Sequence, residues 1–274
     1  MRKITELKEL QSIELDIMNE IDRICRSENI RYYLAGGTLL GAVRHKGFIP
    51  WDDDMDISMP RDDYDRFLEI MKARENSVYK ILAIEYTEGY PYPFAKVVDS
   101  RTRLVEEIGK DIPEMGIFID VFPIDGMGKQ KDYAMKRLMK IVRLRSRIWE
   151  ASLKPEEIKN KELSLKNRII KGIANKVINV IGIKKCYNYM MKYVKEISYN
   201  DSNWIASAVG GANIERELIE RKYFDDIVEM EFEGYKFYAP QGYKKYLSNL
   251  YHDYMKLPSK DKRVASHRGE IWWK

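Results

Sequence analysis

Cysteines and long apolar runs are scarce in this sequence of 274 residues, and each scarcity excludes a class of protein. The two cysteines, Cys25 and Cys186, fit no metal-binding spacing, so we expect buried thiols of a reducing compartment. No window approaches the ~18 consecutive apolar residues that a membrane-spanning helix needs. Acids and lysines interrupt the first residues at once, which argues against a secretory signal and favours a cytoplasmic location.

What the sequence does have is an acidic cluster at residues 52–56, where four of the five positions are aspartate. Carboxylates this close repel one another unless a cation lies between them, and hard divalent ions such as Mg²⁺ prefer carboxylate oxygens. If residues 54–59 form a strand, side chains alternate between its faces, so Asp54 and Asp56 leave the same face. The pattern predicts half of a metal site, and a solvated acidic loop is the alternative.

A glycine pair, Gly36 and Gly37, precedes the acidic cluster and separates a predicted strand at 32–35 from a predicted helix. A Gly-Gly turn lets a ligand approach the backbone closely and leaves the first N–H groups of the helix to bind an anion. Thr38 is placed either to cap that helix or to donate to a phosphate. An ordinary tight turn is the alternative, but an anion cradle beside a carboxylate-held cation predicts a site for a nucleotide-type phosphate.

Asp120 lies in the middle of residues 116–125, a stretch that is otherwise almost wholly apolar and is predicted to contain a buried strand. An unpaired carboxylate there would cost several kcal/mol, so Asp120 must have a partner. A buried arginine or a capped backbone group is one solution, and a shared metal ion is another. Asp125, which comes after the proline of this stretch, is predicted to lie in a turn.

Basic residues accompany another predicted strand, at residues 94–98. Lys96, Arg101 and Arg103 are candidates to neutralise the charge of a bound phosphate. The alternative is that each is an ordinary surface cation, and the residues themselves leave both interpretations open.

The segment that runs from the glycine pair through residues 44–47 to the acidic cluster resembles the LicD family of phosphotransferases. These bacterial enzymes move phosphocholine from CDP-choline onto a sugar hydroxyl of a surface glycan, and their family belongs to the wider nucleotidyltransferase fold. The 17 positions from Gly37 to Asp54 fit this family better than the polymerase-type members of that fold. The C-terminal end is also similar, with His267 where related sequences place a histidine, although His252 stands where the family has a glycine.

The resemblance implies roles for these residues. In the family a third acid on a neighbouring strand completes the metal site, so Asp54, Asp56 and Asp120 would hold one or two Mg²⁺ ions, or Mn²⁺, on the donor phosphates. Asp52 is the first choice as the base for the acceptor hydroxyl, because Asp53 is expected to point away from Asp52. The expected substrate-binding residues are Gly36, Gly37, Thr38, Arg44, Trp51, Lys96 and Arg101.

The reaction that the resemblance implies is transfer of phosphocholine, or a similar alcohol phosphate, from a CDP-activated donor, with CDP-choline as the first choice. The acceptor would be a sugar hydroxyl of a lipid-linked or soluble glycan precursor, such as teichoic acid or lipopolysaccharide, and CMP would leave.

The rival within the same fold is a nucleotidyltransferase that leaves the nucleoside monophosphate on a small-molecule or glycan acceptor. A metal-dependent glycosyltransferase would leave the Gly-Gly turn and Asp120 unexplained. A non-enzymatic choline-binding module is not expected, because the sequence lacks internal repeats.

Positive charge is concentrated between Lys129 and Lys185, where 17 Lys and Arg residues face 5 Asp and Glu residues, a net charge of +12. The whole chain carries +5, so the remainder sums to −7. Near the end of this segment an apolar stripe with basic neighbours predicts a helix that lies on an anionic membrane, such as the inner face of the plasma membrane. A helix packed on the rest of the protein with solvated lysines is the alternative. Nucleic acid is not an expected partner, because few aromatic residues and no recognised fold accompany the charge.

The chain is long for one simple domain and short for three. We predict an α+β fold, with a nucleotidyltransferase-like mixed sheet, flanking helices and a basic helical insertion. The predicted catalytic core spans residues 1–128 and the basic helical segment spans 129–200. Residues 201–274 are predicted to form a hairpin and a helix that complete the catalytic domain.

Overall fold

A computed structural model describes residues 1–74, 76–106, 111–153, 165–210, 214–264 and 269–274, and His267 lies outside these ranges. The strands in the described residues are β1 (Arg2–Ile4), β2 (Tyr33–Leu34), β3 (Asp56–Pro60), β4 (Tyr79–Leu82), β5 (Ala95–Asp99), β6 (Thr102–Glu106), β7 (Phe118–Gly128), β8 (Trp204–Ala206), β9 (Ile219–Glu220), β10 (Ile227–Phe232), β11 (Tyr235–Pro240) and β12 (Gly269–Trp273). The helices there are α1 (Leu7–Ser27), α2 (Gly36–His45), α3 (Arg61–Ala73), α4 (Lys131–Ser152), α5 (Leu165–Ile181), α6 (Ile183–Val194) and α7 (Tyr243–Tyr251).

The central sheet has the strand order β2-β3-β7-β5-β4, and the far end of β7 continues into β8 and β9. Strands β3 and β7 run parallel, whereas the other neighbours in this sheet pair antiparallel. The sheet is therefore mixed and helices accompany it, which confirms the predicted α+β fold with a mixed sheet.

Helix α1 packs against the sheet because its apolar residues recur every three or four positions. The buried stripe includes Ile13, Ile17, Ile21 and Ile24, and the helix contacts β5 and β7. One face of the sheet is thus covered by an element that lies far from β7 in sequence, and one of two hydrophobic core clusters in the described residues forms between them.

Two smaller sheets lie beside the central one. Strand β12 pairs antiparallel with both β1 and β6, so the C-terminal strand joins two strands from the N-terminal half. The predicted hairpin is present as β10 and β11, and its turn residues Glu233 and Gly234 have φ values of 50° and 81°. Positive φ at both central residues matches the tight turns that suit the twist of a hairpin.

Helices α4, α5 and α6 pack on one another, and α4 also contacts β7. On α5 the side chains of Ile173, Val177, Val180 and Ile181 are exposed. Among the described residues, no helix combines the length and the apolar character that crossing a membrane requires.

The structure corrects the prediction for Asp125, which does not lie in a turn. It is a buried residue of β7, and the guanidinium of Arg61 donates to both of its carboxylate oxygens, at 2.7 and 3.0 Å. The proline before it does not end the strand, because β7 continues to Gly128.

Candidate active site

Strand register places three charged side chains at the same level of the sheet. Asp56 on β3 is paired with Asp120 on β7, and Asp120 is paired with Lys96 on β5. Because residues in register share a face, their side chains are neighbours. Lys96 Nζ donates to Asp120 Oδ1 at 2.6 Å, and both side chains are buried. Asp120 is thus paired with a lysine rather than an arginine, and Lys96 is not a surface cation.

The loop before β3 gathers its acids more closely than expected. Asp52, Asp53 and Asp54 each offer a carboxylate oxygen within 4.8 Å of the others. The expectation that Asp53 points away from Asp52 is therefore wrong, because residues 52–54 do not adopt the alternating geometry of a strand. The regular strand begins only at Asp56.

A cavity of about 220 Å³ collects the acids from the two strands and the loop. Asp54, Asp56 and Asp120 all line it, and Gly36 from the start of α2 lies on the same wall. Tyr251 from α7 also lines this cavity. The structure therefore brings together residues that are up to 215 positions apart in sequence, from Gly36 to Tyr251.

The glycine pair allows the acids to approach the N-terminus of α2. A Cβ atom at Gly37 would lie 2.9 Å from Asp52 Oδ2, and one at Gly36, where φ is +49°, would lie 3.4 Å from Asp56 Oδ2. Ala35 is the N-cap residue, so of the two roles considered for Thr38 the capping role is wrong, and donation to a phosphate stays a prediction. The Thr38 hydroxyl instead accepts a hydrogen bond from the Asp56 N–H at 2.7 Å, which ties the helix to β3.

The electrostatics of the cavity favour a cation. Burial raises the pKa of Asp56 well above its usual range, and the charges of Asp54, Asp120 and Asp52 raise it further, while Lys96 acts in the opposite direction. A group of carboxylate oxygens that destabilise one another is the donor set that Mg²⁺ prefers. The residues present therefore fit a divalent ion of this kind.

The chain is similar in sequence to several known proteins. Residues 29–137 match a family model described as LicD/FKTN/FKRP, nucleotidyltransferase domain. Over 277 aligned residues the chain is 33% identical to the lipopolysaccharide cholinephosphotransferase LicD of Haemophilus influenzae, and the alignment covers 99% of each chain. The protein belongs to the LicD family. This LicD family member is also 38% identical over 55 residues to the ribitol 5-phosphate transferase FKRP of Homo sapiens and of Mus musculus, covering 20% of this chain and 11% of each relative.

Arg44 and Trp51 of this LicD family member lie beside the acidic loop rather than in the cavity wall. Arg44 Nη1 donates to the Tyr254 carbonyl at 3.1 Å. Burial and the charge of Arg263 lower the pKa of Arg44, and the charge of Asp52 acts in the opposite direction. The Arg263 guanidinium lies 5.4 Å from the centre of the Trp51 ring. These residues form a basic and aromatic rim next to Asp52.

The structure does not bring Arg101 to the cavity. Its guanidinium pairs with the buried carboxylate of Asp99 at 2.5 Å and lies 5.6 Å from the centre of the Trp273 ring. Arg101 follows the end of β5, five residues after Lys96, and faces the small sheet that contains β12. Arg103 also lies elsewhere, since its Nη1 donates to the carbonyl of Ile112 at 2.8 Å.

Several residues near the acids were not predicted. Ser207, Glu217 and Tyr251 line the cavity, but they come from segments without a local motif, and only folding brings them to β3. Burial raises the pKa of Glu217 to about 7, with the charge of Arg145 acting against the rise. Glu14, by contrast, had a readable signal, because it is an acid on the apolar face of α1.

Proposed function

We propose that this LicD family member transfers phosphocholine, or a similar alcohol phosphate, from a CDP-activated donor to a sugar hydroxyl of a glycan precursor. The observation that carries the proposal is the meeting of Asp54, Asp56 and Asp120 in one cavity, beside the N-terminus of α2. The names of two relatives support it, since one is a cholinephosphotransferase and another a ribitol 5-phosphate transferase. The family model's description supports a nucleotidyltransferase-like fold for the same region.

Asp54, Asp56 and Asp120 are the residues that would hold Mg²⁺ or Mn²⁺. When bound, such an ion neutralises charge on the donor phosphates and on the leaving nucleoside monophosphate. Lys96 holds the carboxylate of Asp120 in place through the contact of 2.6 Å between Nζ and Oδ1. The orientation of Asp120 is thus set by the sheet before substrate binds.

The residues of the chain account for the remaining requirements of the reaction. The first N–H groups of α2, at Gly36 and Gly37, bind a donor phosphate, because a helix N-terminus favours an anion. Asp52 accepts the proton of the acceptor hydroxyl. The hydroxyl oxygen forms a bond to the phosphorus of the alcohol phosphate while the bridging P–O bond of the donor breaks, and CMP leaves with the bonding electrons.

The test follows the two halves of the donor. CDP-choline labelled in its choline is compared with CDP-choline labelled in its cytidine, with a glycan precursor as acceptor and Mg²⁺ present. We expect the choline label to reach the acceptor and the cytidine label to appear in CMP. Transfer of the cytidine label would instead indicate the rival nucleotidyltransferase. No transfer of either label, with ribitol and glycerol donors tested as well, would contradict the proposal.

Variants connect the reaction to the cavity. Asp54→Asn and Asp56→Asn keep the size of the side chain and remove its charge, so we expect turnover to be lost while the fold is retained. Asp132→Asn, at an exposed site in the first turn of α4, is the matched control and should keep full activity. Substantial activity of either cavity variant in excess Mg²⁺ would show that the site is elsewhere.

For its location we propose peripheral contact with an anionic membrane through α5. The exposed side chains of Ile173, Val177, Val180 and Ile181 provide apolar area, and the surrounding segment is strongly basic. Flotation with phosphatidylglycerol vesicles at low salt should recover the protein, and the double variant Ile173→Ser/Val180→Ser should reduce recovery. Phosphatidylcholine vesicles are the control. Failure to bind the anionic vesicles at low salt would exclude this contact.

A further inference from the structure

The active-site cavity extends beyond the acids along β3 and β7. Asp56 is paired with Asp120 at the level of the acids, and two residues further along Ser58 is paired with Phe122. Side chains two positions apart on a strand leave the same face about 7 Å apart. Ser58 and Phe122 therefore form a second level of the cavity, and both line it. A group attached to a phosphate at the level of the acids can reach this second level.

Two tyrosines of α7 border the second level as well. Tyr246 is buried, and its ring packs edge-on against Phe224 with 5.3 Å between the ring centres. Tyr251 lies nearer the surface, and its hydroxyl oxygen would be 3.6 Å from a Cβ atom at Gly36. Both tyrosines line the cavity together with Phe122. These three rings border one space, and we call them the aromatic wall.

A buried acid, Glu217, lines the same cavity as the aromatic wall. It also borders the small pocket behind the cavity, together with Ser58 and Tyr246, which places it at the second level rather than at the level of the acids. Glu217 is only 9% exposed, and among the described residues it forms no ion pair. The charge of Arg145 does not offset this burial, because the pKa of Glu217 is still raised to about 7.

The kind of ligand that suits this level follows from its charge. A buried carboxylate without a counter-ion is costly, so the position calls for a positive charge that a ligand supplies. A metal ion prefers several carboxylate oxygens, and these lie at the level of the acids. A neutral polyol could hydrogen-bond to Ser58 and Ser207 of the cavity but would leave Glu217 uncompensated. An organic cation satisfies both features, because its charge pairs with the acid and aromatic rings attract it.

We propose that the second level of the cavity binds the cationic head of the alcohol that is transferred, and that it selects a substituted ammonium group over a neutral polyol. The side chains that would bind this head are Phe122, Tyr246, Tyr251 and Glu217. The inference rests on the proposed function and deepens it, since it assigns the donor to the class of ammonium alcohols rather than to ribitol or glycerol. The residues that would hold the metal ion, the donor phosphates and the proton of the acceptor are unchanged.

The test compares two donors that differ in charge. One is CDP-choline, and the other is its neutral analogue, in which a carbon atom replaces the quaternary nitrogen. Isothermal titration calorimetry measures the binding of each to the full chain, with Mg²⁺ and without an acceptor. We expect the unsubstituted protein to bind CDP-choline about tenfold more tightly than the analogue. CMP, which lacks the alcohol, measures binding of the nucleotide half alone.

Two variants connect this preference to the second level. Glu217→Gln keeps the size of the side chain and removes its charge, and Phe122→Leu keeps an apolar side chain and removes the ring. Both should lose most of the preference for CDP-choline while binding CMP as the unsubstituted protein does. Glu215→Gln, at an exposed position of the same turn as Glu217, is the matched control and should keep the preference. Circular dichroism verifies that each variant is folded.

Equal affinities of the unsubstituted protein for CDP-choline and the analogue would overturn the inference without any variant. An unchanged preference in Glu217→Gln and Phe122→Leu would also overturn it, and so would a parallel loss of CMP binding, which would assign the aromatic wall to the cytosine. Transfer of the choline label separates these results from the proposed function. If that label still reaches the acceptor, only this inference falls. If the affinities are equal and no donor is turned over, the proposed function falls as well.

Discussion

Lys96 and Asp120 face each other across β5 and β7, with Nζ 2.6 Å from Oδ1, so the acid in the middle of the sheet carries its own counter-charge. The Lys96 ammonium also lies 3.3 Å from the centre of the Phe118 ring and 4.9 Å from that of Tyr92. Aromatic rings attract a cation and exclude water from it. The pair is therefore enclosed by aromatic rings, and Asp120 lines the cavity while paired with Lys96.

Substitution of Lys96 should show how much its pair with Asp120 contributes to the free energy of unfolding. Lys96→Met leaves Asp120 buried without its partner, and we expect the free energy of unfolding to fall by about 3 kcal/mol in the absence of metal. Urea unfolding with and without Mg²⁺ measures the change. Lys192→Met, at an exposed position of α6, is the control and should differ little. Equal urea midpoints for Lys96→Met and the unsubstituted protein would show that Asp120 does not depend on Lys96.

The parts of the site that the sequence predicted are those encoded in one short segment. The glycine pair and the four aspartates lie between residues 36 and 56, so their chemistry was readable from spacing. The pairing of Lys96 with Asp120 was not, because it depends on the register of two strands between which the chain forms β6 in another sheet. The orientation of Asp53 was not readable either, because it depends on the conformation of the loop before β3.

Long-range packing explains the other differences. Asp125 was assigned to a turn from its proline neighbour, but Arg61 in α3 pairs with it and keeps it in β7. Arg101 was grouped with Lys96 by proximity in sequence, whereas the end of β5 turns it toward Asp99 and Trp273. Burial and ion pairs between distant elements decided both outcomes, and neither can be predicted from the local composition of the sequence.

The second glycine of the pair should be intolerant of even one methyl group. In Gly37→Ala the new Cβ would lie 2.9 Å from Asp52 Oδ2, so the carboxylate must move, and we expect activity to fall at least about tenfold with the fold retained. Gly172→Ala in α5 is the matched control, because a Cβ there meets nothing within 4 Å. That change should keep activity and raise stability by up to about 1 kcal/mol. Normal turnover in Gly37→Ala would show that the position of Asp52 is not critical.

His252 occupies a backbone conformation that suits glycine, which is the residue expected there from the family. Its φ is 58° and its ψ is −107°, directly after α7. A side chain in such a region costs of order 1–3 kcal/mol, so His252→Gly should raise the melting temperature. His252→Ala keeps the Cβ atom and should bring no such gain. An equal gain in both variants would assign the effect to the imidazole rather than to the backbone.

Glu217 should make stability depend on pH near neutrality. Burial raises its pKa from 4.5 to about 7, so the folded chain holds the proton more tightly than the unfolded chain. The free energy of unfolding is therefore lowered as the pH rises. The loss is absent below the pKa of the unfolded chain and complete above about pH 7, where it reaches roughly 3 kcal/mol. Glu217→Gln removes the titration, so it should be more stable than the unsubstituted protein at pH 8 and equal to it near pH 4. Urea unfolding at intervals between these values measures the difference. Glu215→Gln changes an exposed residue of the same turn and is the control, so it should leave the dependence of stability on pH unchanged. If Glu217→Gln differs from the unsubstituted protein by the same amount at every pH, Glu217 does not titrate in this range.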